Sequence, residues 1–124
     1  MSTIKNFTIA VLGTGLIGAP VARNLRKQGF TVHAWNRTAA KAHALVADGV
    51  LAFDSPDEAV RGADIIVTVL KDGPGVQQAV QAAAPALGKG AIWLQLSTVG
   101  IAGIETLAAL AAQLGLTFYD APVQ

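Results

Sequence analysis

The chain has 124 residues, a length that fits one domain, and 52% of them are hydrophobic, enough for a substantial core. Its charge is sparse and nearly balanced at +1, which argues against nucleic acid as a partner, because binding a phosphate backbone needs a clear basic excess. Without cysteine, disulfides and thiolate zinc sites are excluded and a reducing, cytoplasmic setting is compatible; no run of about 18 apolar residues is present to span a membrane.

Residues 1–6 read as a short polar lead-in, and the apolar stretch that follows is too short for a signal core. Phe7–Leu12 reads as a buried strand, followed by a glycine loop and a helix over about Leu16–Gln28 that Gly29 stops. Thr31–Asn36 is a second strand. Thr38 caps a helix running to about Asp48, ended by Gly49, and Val50–Phe53 is a short third strand. Ser55-Pro56-Asp57-Glu58 marks a helix start: a capping serine, proline at the first helical position and an acid three residues on. Asp64–Leu70 is apolar on both faces, as a central parallel strand requires. Lys71–Gly75 reads as a loop, Val76–Ala84 as a helix and Ala91–Leu96 as a fifth strand. In the next helix, over Ile101–Gly115, Ile104, Leu107, Ala108, Ala111 and Leu114 form one stripe at helical spacing. Thr117–Tyr119 is a sixth strand that Asp120-Ala121-Pro122 ends.

Alternating strands and helices imply an α/β fold with a mostly parallel sheet and helices on both faces. Six strands are the full count of a doubly wound, Rossmann-type sheet ordered 3-2-1-4-5-6.

Gly13-Thr14-Gly15-Leu16-Ile17-Gly18 matches G-x-G-x-x-G in its required context: a strand before it, a helix after it and a second strand beyond. Gly13 permits the tight turn, Gly15 lets the backbone approach a pyrophosphate and Gly18 lets the helix pack close. The helix N-terminus offers free N–H groups and partial positive charge to the phosphates. The alternative is a plain βα turn with spare glycines.

Sites specific for NAD place Asp or Glu at the end of the second strand, on the ribose 2′-OH. Here Asn36-Arg37-Thr38 stands there instead. Asn36 and Thr38 can hydrogen-bond a 2′-phosphate, Arg37 can pair with it bidentately and stack on adenine, and Lys41, one turn on, adds charge. NADP is therefore expected over NAD, the alternative being that Arg37 is a solvated surface arginine. Trp35 reads as helix–sheet packing rather than an adenine platform, and His33 and His43 as ordinary strand and helix residues. No triad and no metal site is marked.

The segment GTGLIGAPVARNLRKQGFTVHAWNRT resembles the N-terminal signature of the β-hydroxyacid dehydrogenases, the family of 3-hydroxyisobutyrate, tartronate semialdehyde and 6-phosphogluconate dehydrogenases. Imine reductases share much of it. Three later stretches agree in order: Val69-Leu70-Lys71-Asp72, Leu96-Ser97-Thr98-Val99-Gly100 and Asp120-Ala121-Pro122-Val123. The last favours the β-hydroxyacid dehydrogenases over imine reductases. The resemblance implies NAD(P)-dependent oxidation of a small β-hydroxyacid, or reduction of the matching semialdehyde. It puts Leu70 and Lys71 on the nicotinamide side, and Ser97 and Thr98 at the nicotinamide and the substrate carboxylate. Ser97-Thr98 also fits a helix cap.

Three departures stand out. Where the family usually has Asp two residues before its Ser-Thr pair, this chain has Gln95. Ile101 replaces a frequent proline, and a single Gln124 follows the Asp-Ala-Pro-Val stretch in place of a glycine turn. Family members are roughly twice this length or more, with a helical second half that carries a general acid–base lysine. No residue of this chain maps onto that lysine, so no catalytic residue is assigned. The expectation is a cofactor-binding domain with little or no turnover alone; a stand-alone NADP(H)-binding module, or a half-enzyme completed by a separate helical chain, remains open. Apolar surface left uncovered would favour a homodimer.

Overall fold

A computed structural model of the chain describes residues 7–121. Strands β1 (Thr8–Leu12), β2 (Thr31–Trp35), β3 (Leu51–Ala52), β4 (Ile65–Thr68), β5 (Ile92–Gln95) and β6 (Thr117–Asp120) form one parallel sheet in the order β3-β2-β1-β4-β5-β6. The doubly wound order expected from the strand–helix alternation is present. β4 occupies the centre for the reason its sequence gives: Ile66 is buried against one helical layer and Val67 against the other.

Helices α1 (Gly18–Lys27) and α2 (Ala39–His43) cover one face of the sheet, packing Ala22, Ala42 and Leu45 on Ile9, Val11, Val32 and Ala34. Helices α3 (Pro56–Val60), α4 (Gly73–Ala83) and α5 (Gly100–Leu114) cover the other, over Ala10, Leu12, Ile66 and Trp93. Small residues bring the helices close to the sheet: Ala59, Ala79, Ala83 and Ala111 are all buried there. The α1–α2 side covers β5 and β6 only in part: Leu94 packs against it, but Ile92 and Tyr119 on the same face remain 38% and 56% exposed.

Several boundaries differ from the sequence reading. α2 ends at His43 rather than near Asp48; a tight 3-10 turn at Val46–Asp48 and Gly49 at φ +88° follow. The reversal lets Leu45 and Val50 both point inward, with Val50 N–H donating to Leu45 C=O. α4 starts at Gly73 rather than Val76, because the Asp72 carboxylate accepts from Gly75 N–H at 2.9 Å and caps it. In α5 the buried stripe uses Leu110 in place of Ala108, which is exposed. At about 100° per residue, Ala108 falls beyond the edge of a stripe centred on Leu107, and Leu110 lies within it. Ser55 does stand before Pro56, but its hydroxyl donates to the Glu58 carboxylate at 2.9 Å instead of accepting from the backbone. A charged acceptor makes the stronger bond.

No helix of the described residues is long and apolar enough to cross a membrane. The histidines stand apart from one another: His33 Nδ1 meets the Ala59 carbonyl at 2.8 Å and its ring packs on Phe53, while His43 Nε2 lies 3.0 Å from the Asp54 carboxylate at the surface. Among the described residues no metal-ligating cluster forms.

Candidate functional site: a groove at the carboxyl ends of the strands

The glycine loop joins β1 to α1 at the carboxyl edge of the sheet, where β2 and β4 flank β1. In open α/β sheets ligands bind in this crevice. Gly13 sits at φ +108°, and a Cβ on it would run into the Val69 carbonyl; a Cβ on Gly18 would run into the Gly13 carbonyl. Neither position accepts a side chain, so the loop is drawn tightly between β1, β4 and α1. Gly15 is different. A Cβ there meets nothing within 4 Å, so its bareness serves no contact among the described residues and leaves the loop open to a ligand. The N–H groups of Gly15, Leu16 and Ile17 donate to nothing among the described residues, and α1 continues from them for ten residues. An anion fits there.

Asn36 ties the loop to the end of β2. Its Oδ1 accepts from Thr14 N–H at 2.9 Å, and its Nδ2 donates to the Thr38 carbonyl at 3.1 Å. The Gly13 N–H also donates to the Trp35 carbonyl. Thr14 itself is buried under the loop, and its hydroxyl finds no partner among the described residues. Arg37 and Lys41 are exposed and take part in no ion pair among the described residues, whereas Arg23 is paired with Asp48.

These parts surround a groove of about 740 Å³. One wall is Gly15–Gly18, one end is Asn36, Arg37, Thr38 and Lys41, and the opposite side is Leu70, Lys71 and the first turns of α4. Most of the expected residues are thus brought together. Gly13 and Thr14 lie beneath the groove, and Ser97 and Thr98 lie outside its lining. Ser97 is buried, with its hydroxyl accepting from Leu70 N–H at 2.7 Å; Thr98 is exposed. Neither caps α5, whose preceding residue is Val99.

Sequence reasoning missed part of the wall. Trp35 both packs in the core and lines the groove, and Asp72, Gly75, Gln78, Ala79 and Ala82 present one face of α4 to it. The signal was available: residues 75, 79 and 82 are small at helical spacing, directly after the central strand. Of the Asp-Ala-Pro-Val stretch, Asp120 ends β6 and Ala121 follows it with N–H donating to the Gln95 carbonyl. Pro122 and Val123 lie outside the described residues, as do Gln124 and the lead-in 1–6.

Comparison with known proteins agrees with this geometry. Residues 8–124 match the family model of the NAD binding domain of 6-phosphogluconate dehydrogenase. An uncharacterized oxidoreductase of Bacillus subtilis is 36% identical over 118 residues, covering 93% of this chain and 41% of its own length. Among solved structures, 3-hydroxyisobutyrate dehydrogenase of Mycobacterium tuberculosis with L-serine superposes with a TM-score of 0.92 at 33% identity, over 96% of this chain and 41% of that one. An imine reductase of Myxococcus stipitatus with NADP+ gives 0.84 at 29% identity, over 91% and 39%; its V8 variant with NAD+ gives 0.86 at 25%, over 93% and 40%. The chain spans about two fifths of the length of the curated relatives it matches. Fold, glycine loop and sequence agree over nearly the whole chain, which belongs to the family of NAD-binding domains of the 6-phosphogluconate dehydrogenase type.

Proposed function

We propose that the chain is the NADP(H)-binding part of an oxidoreductase acting on a small β-hydroxyacid or the matching semialdehyde. The observation that carries the cofactor choice is the end of β2: Asn36 stands where a carboxylate would meet a ribose 2′-OH, and Arg37 and Lys41 line the groove without ion-pair partners among the described residues. The nearby Asp72 carboxylate is committed to the N-terminus of α4. Arg37 takes the 2′-phosphate and stacks on adenine, with Lys41 adding charge. Asn36 acts mainly by positioning, since one side of its amide already holds Thr14 and the other Thr38.

The free N–H groups of Gly15, Leu16 and Ile17 hold the pyrophosphate. Leu70 and Lys71 lie on the nicotinamide side, and the exposed Thr98 faces the substrate carboxylate, with the buried Ser97 behind it holding Leu70. The nicotinamide, when bound, supplies the hydride acceptor or donor. General acid–base transfer contributes about 10²–10⁴ in rate, and no residue of this chain corresponds to the family lysine that provides it, so the chain by itself turns over little. The sequence Asp120-Ala121-Pro122-Val123, by its resemblance to the β-hydroxyacid dehydrogenases, favours hydroxyacid over imine chemistry. A cytoplasmic setting, and self-association through the exposed face carrying Ile92 and Tyr119, belong to the same reading.

The test is the ratio of NADPH to NADH dissociation constants in the parent chain and in Arg37→Ala. The expected result is tighter NADPH binding in the parent and a ratio near one in the variant. Equal affinities in the parent contradict the NADP assignment. A turnover assay with small hydroxyacids and cyclic imines addresses the chemistry, and robust turnover by this chain alone contradicts the absence of the acid–base group.

A further inference from the structure

At the carboxyl edge of the sheet, Thr68 of β4, Gln95 of β5 and Asp120 of β6 stand in register on one face. Trp93, two residues before Gln95, is on that face as well. Thr68, Trp93 and Gln95 are fully buried. Their hydrogen bonds have a fixed direction. The Trp93 indole can only donate, and it gives its N–H to Thr68 Oγ1 at 2.9 Å. The Thr68 proton therefore goes on to Gln95 Oε1, at 3.3 Å. This orients the amide, with Oε1 also accepting from Ser97 N–H at 2.7 Å and Nε2 donating to the Ser97 carbonyl at 2.6 Å and to Asp120 Oδ1 at 3.0 Å. Flipping the amide would set donor against donor and acceptor against acceptor at these contacts.

The amide of Gln95 thus grips both the N–H and the C=O of Ser97. So held, Ser97 presents its buried hydroxyl to Leu70 N–H at 2.7 Å, with the Thr68 carbonyl at 3.5 Å. That bond ties the segment after β4 to the segment after β5.

We propose that Gln95 is a positioning residue: by clamping the Ser97 backbone it latches Ser97 Oγ onto the Leu70 peptide and fixes the nicotinamide side of the groove relative to the substrate side. The roles of those two sides rest on the proposed function; the latch does not. A glutamate at this position would offer only acceptors and would oppose the Ser97 carbonyl and Asp120. The aspartate that the related family usually has is one methylene shorter, so the contacts made here belong to the longer, neutral amide.

Two variants test the latch. Gln95→Glu keeps the shape and removes both donors; Ser97→Ala removes only the hydroxyl and carries the test of the latch if the first fails to fold. The first readout is hydrogen exchange of the Leu70 amide in the ligand-free chain. The second is affinity for NADPH against 2′-phospho-ADP-ribose, which lacks the nicotinamide (NADH against ADP-ribose if the parent prefers NADH). Exchange at Leu70 should quicken about tenfold in both variants, for one lost hydrogen bond to a half-buried amide. Affinity for the whole cofactor should fall about tenfold, with the fragment held within about twofold. Unchanged Leu70 exchange overturns the latch. Equal weakening of cofactor and fragment, or of neither, overturns its positioning role. A parent chain that binds neither ligand refutes the cofactor reading instead, with Leu70 exchange still deciding the latch.

Discussion

At the glycine loop, the groups that can meet a ligand are backbone N–H groups without partners among the described residues, beside a glycine whose missing side chain opens space. At the ends of β4, β5 and β6 the polar groups are side chains, buried at Thr68, Trp93 and Gln95 and half-buried at Asp120, and already bonded to one another. The first region gains its capacity from what is withheld from the fold, the second from what is bound inside it. A change in the first should therefore cost ligand affinity more than stability, and a change in the second should cost stability first.

Gln95→Met should have the largest effect. It strips the partners from the buried Ser97 N–H and C=O and from the half-buried Asp120 Oδ1, and leaves the buried Thr68 hydroxyl without its acceptor. At about 1–3 kcal/mol for each orphaned buried group, a loss of roughly 3 kcal/mol or more should appear in urea unfolding. A cost under about 1 kcal/mol would erase the contrast between the two regions. Gly13→Ala tests where the glycine loop stops being open. Its Cβ meets the Val69 carbonyl at a positive φ, so a stability loss of about 1–3 kcal/mol is expected along with lost cofactor binding.

Arg37→Ala sharpens the comparison from the other side. NADPH binding should weaken about tenfold or more, for one charge-assisted contact, with unfolding unchanged to within about 0.5 kcal/mol. Titration calorimetry and urea melts together check it. Thr14→Val gives the smallest effect. The hydroxyl it removes is buried without a partner among the described residues, so stability should stay within about 1 kcal/mol of the parent, on the favourable side. A loss of more than that would mean the hydroxyl is satisfied in solution.

The same division governs what the sequence reveals. The glycine loop and Asn36-Arg37-Thr38 are local in the chain, so their spacing alone places them on one groove; Gly13 and Gly18 each have a distinct steric reason, and Gly15 has open space beside it. The commitment of Asn36 to Thr14 and Thr38 was not legible, because it depends on the approach of β2 to the loop. Ser97 was visible as part of a motif. Its partner Leu70, 27 residues away, was not, nor was the row Thr68-Gln95-Asp120, which exists only through strand register. Gln95 could be seen to depart from the related family, yet the meaning of an amide there needs Trp93 and Thr68 to set its direction. Helix ends were misplaced where a side chain rather than a periodicity decided them, as Asp72 does for α4.

The most direct measurement is an amide chemical-shift titration of the chain with NADPH. The account predicts saturable shifts that are largest at Gly15, Leu16 and Ile17, present at Arg37 and Thr38, and reaching Leu70 across the groove. The absence of saturable binding, or shifts centred away from the glycine loop, would contradict it.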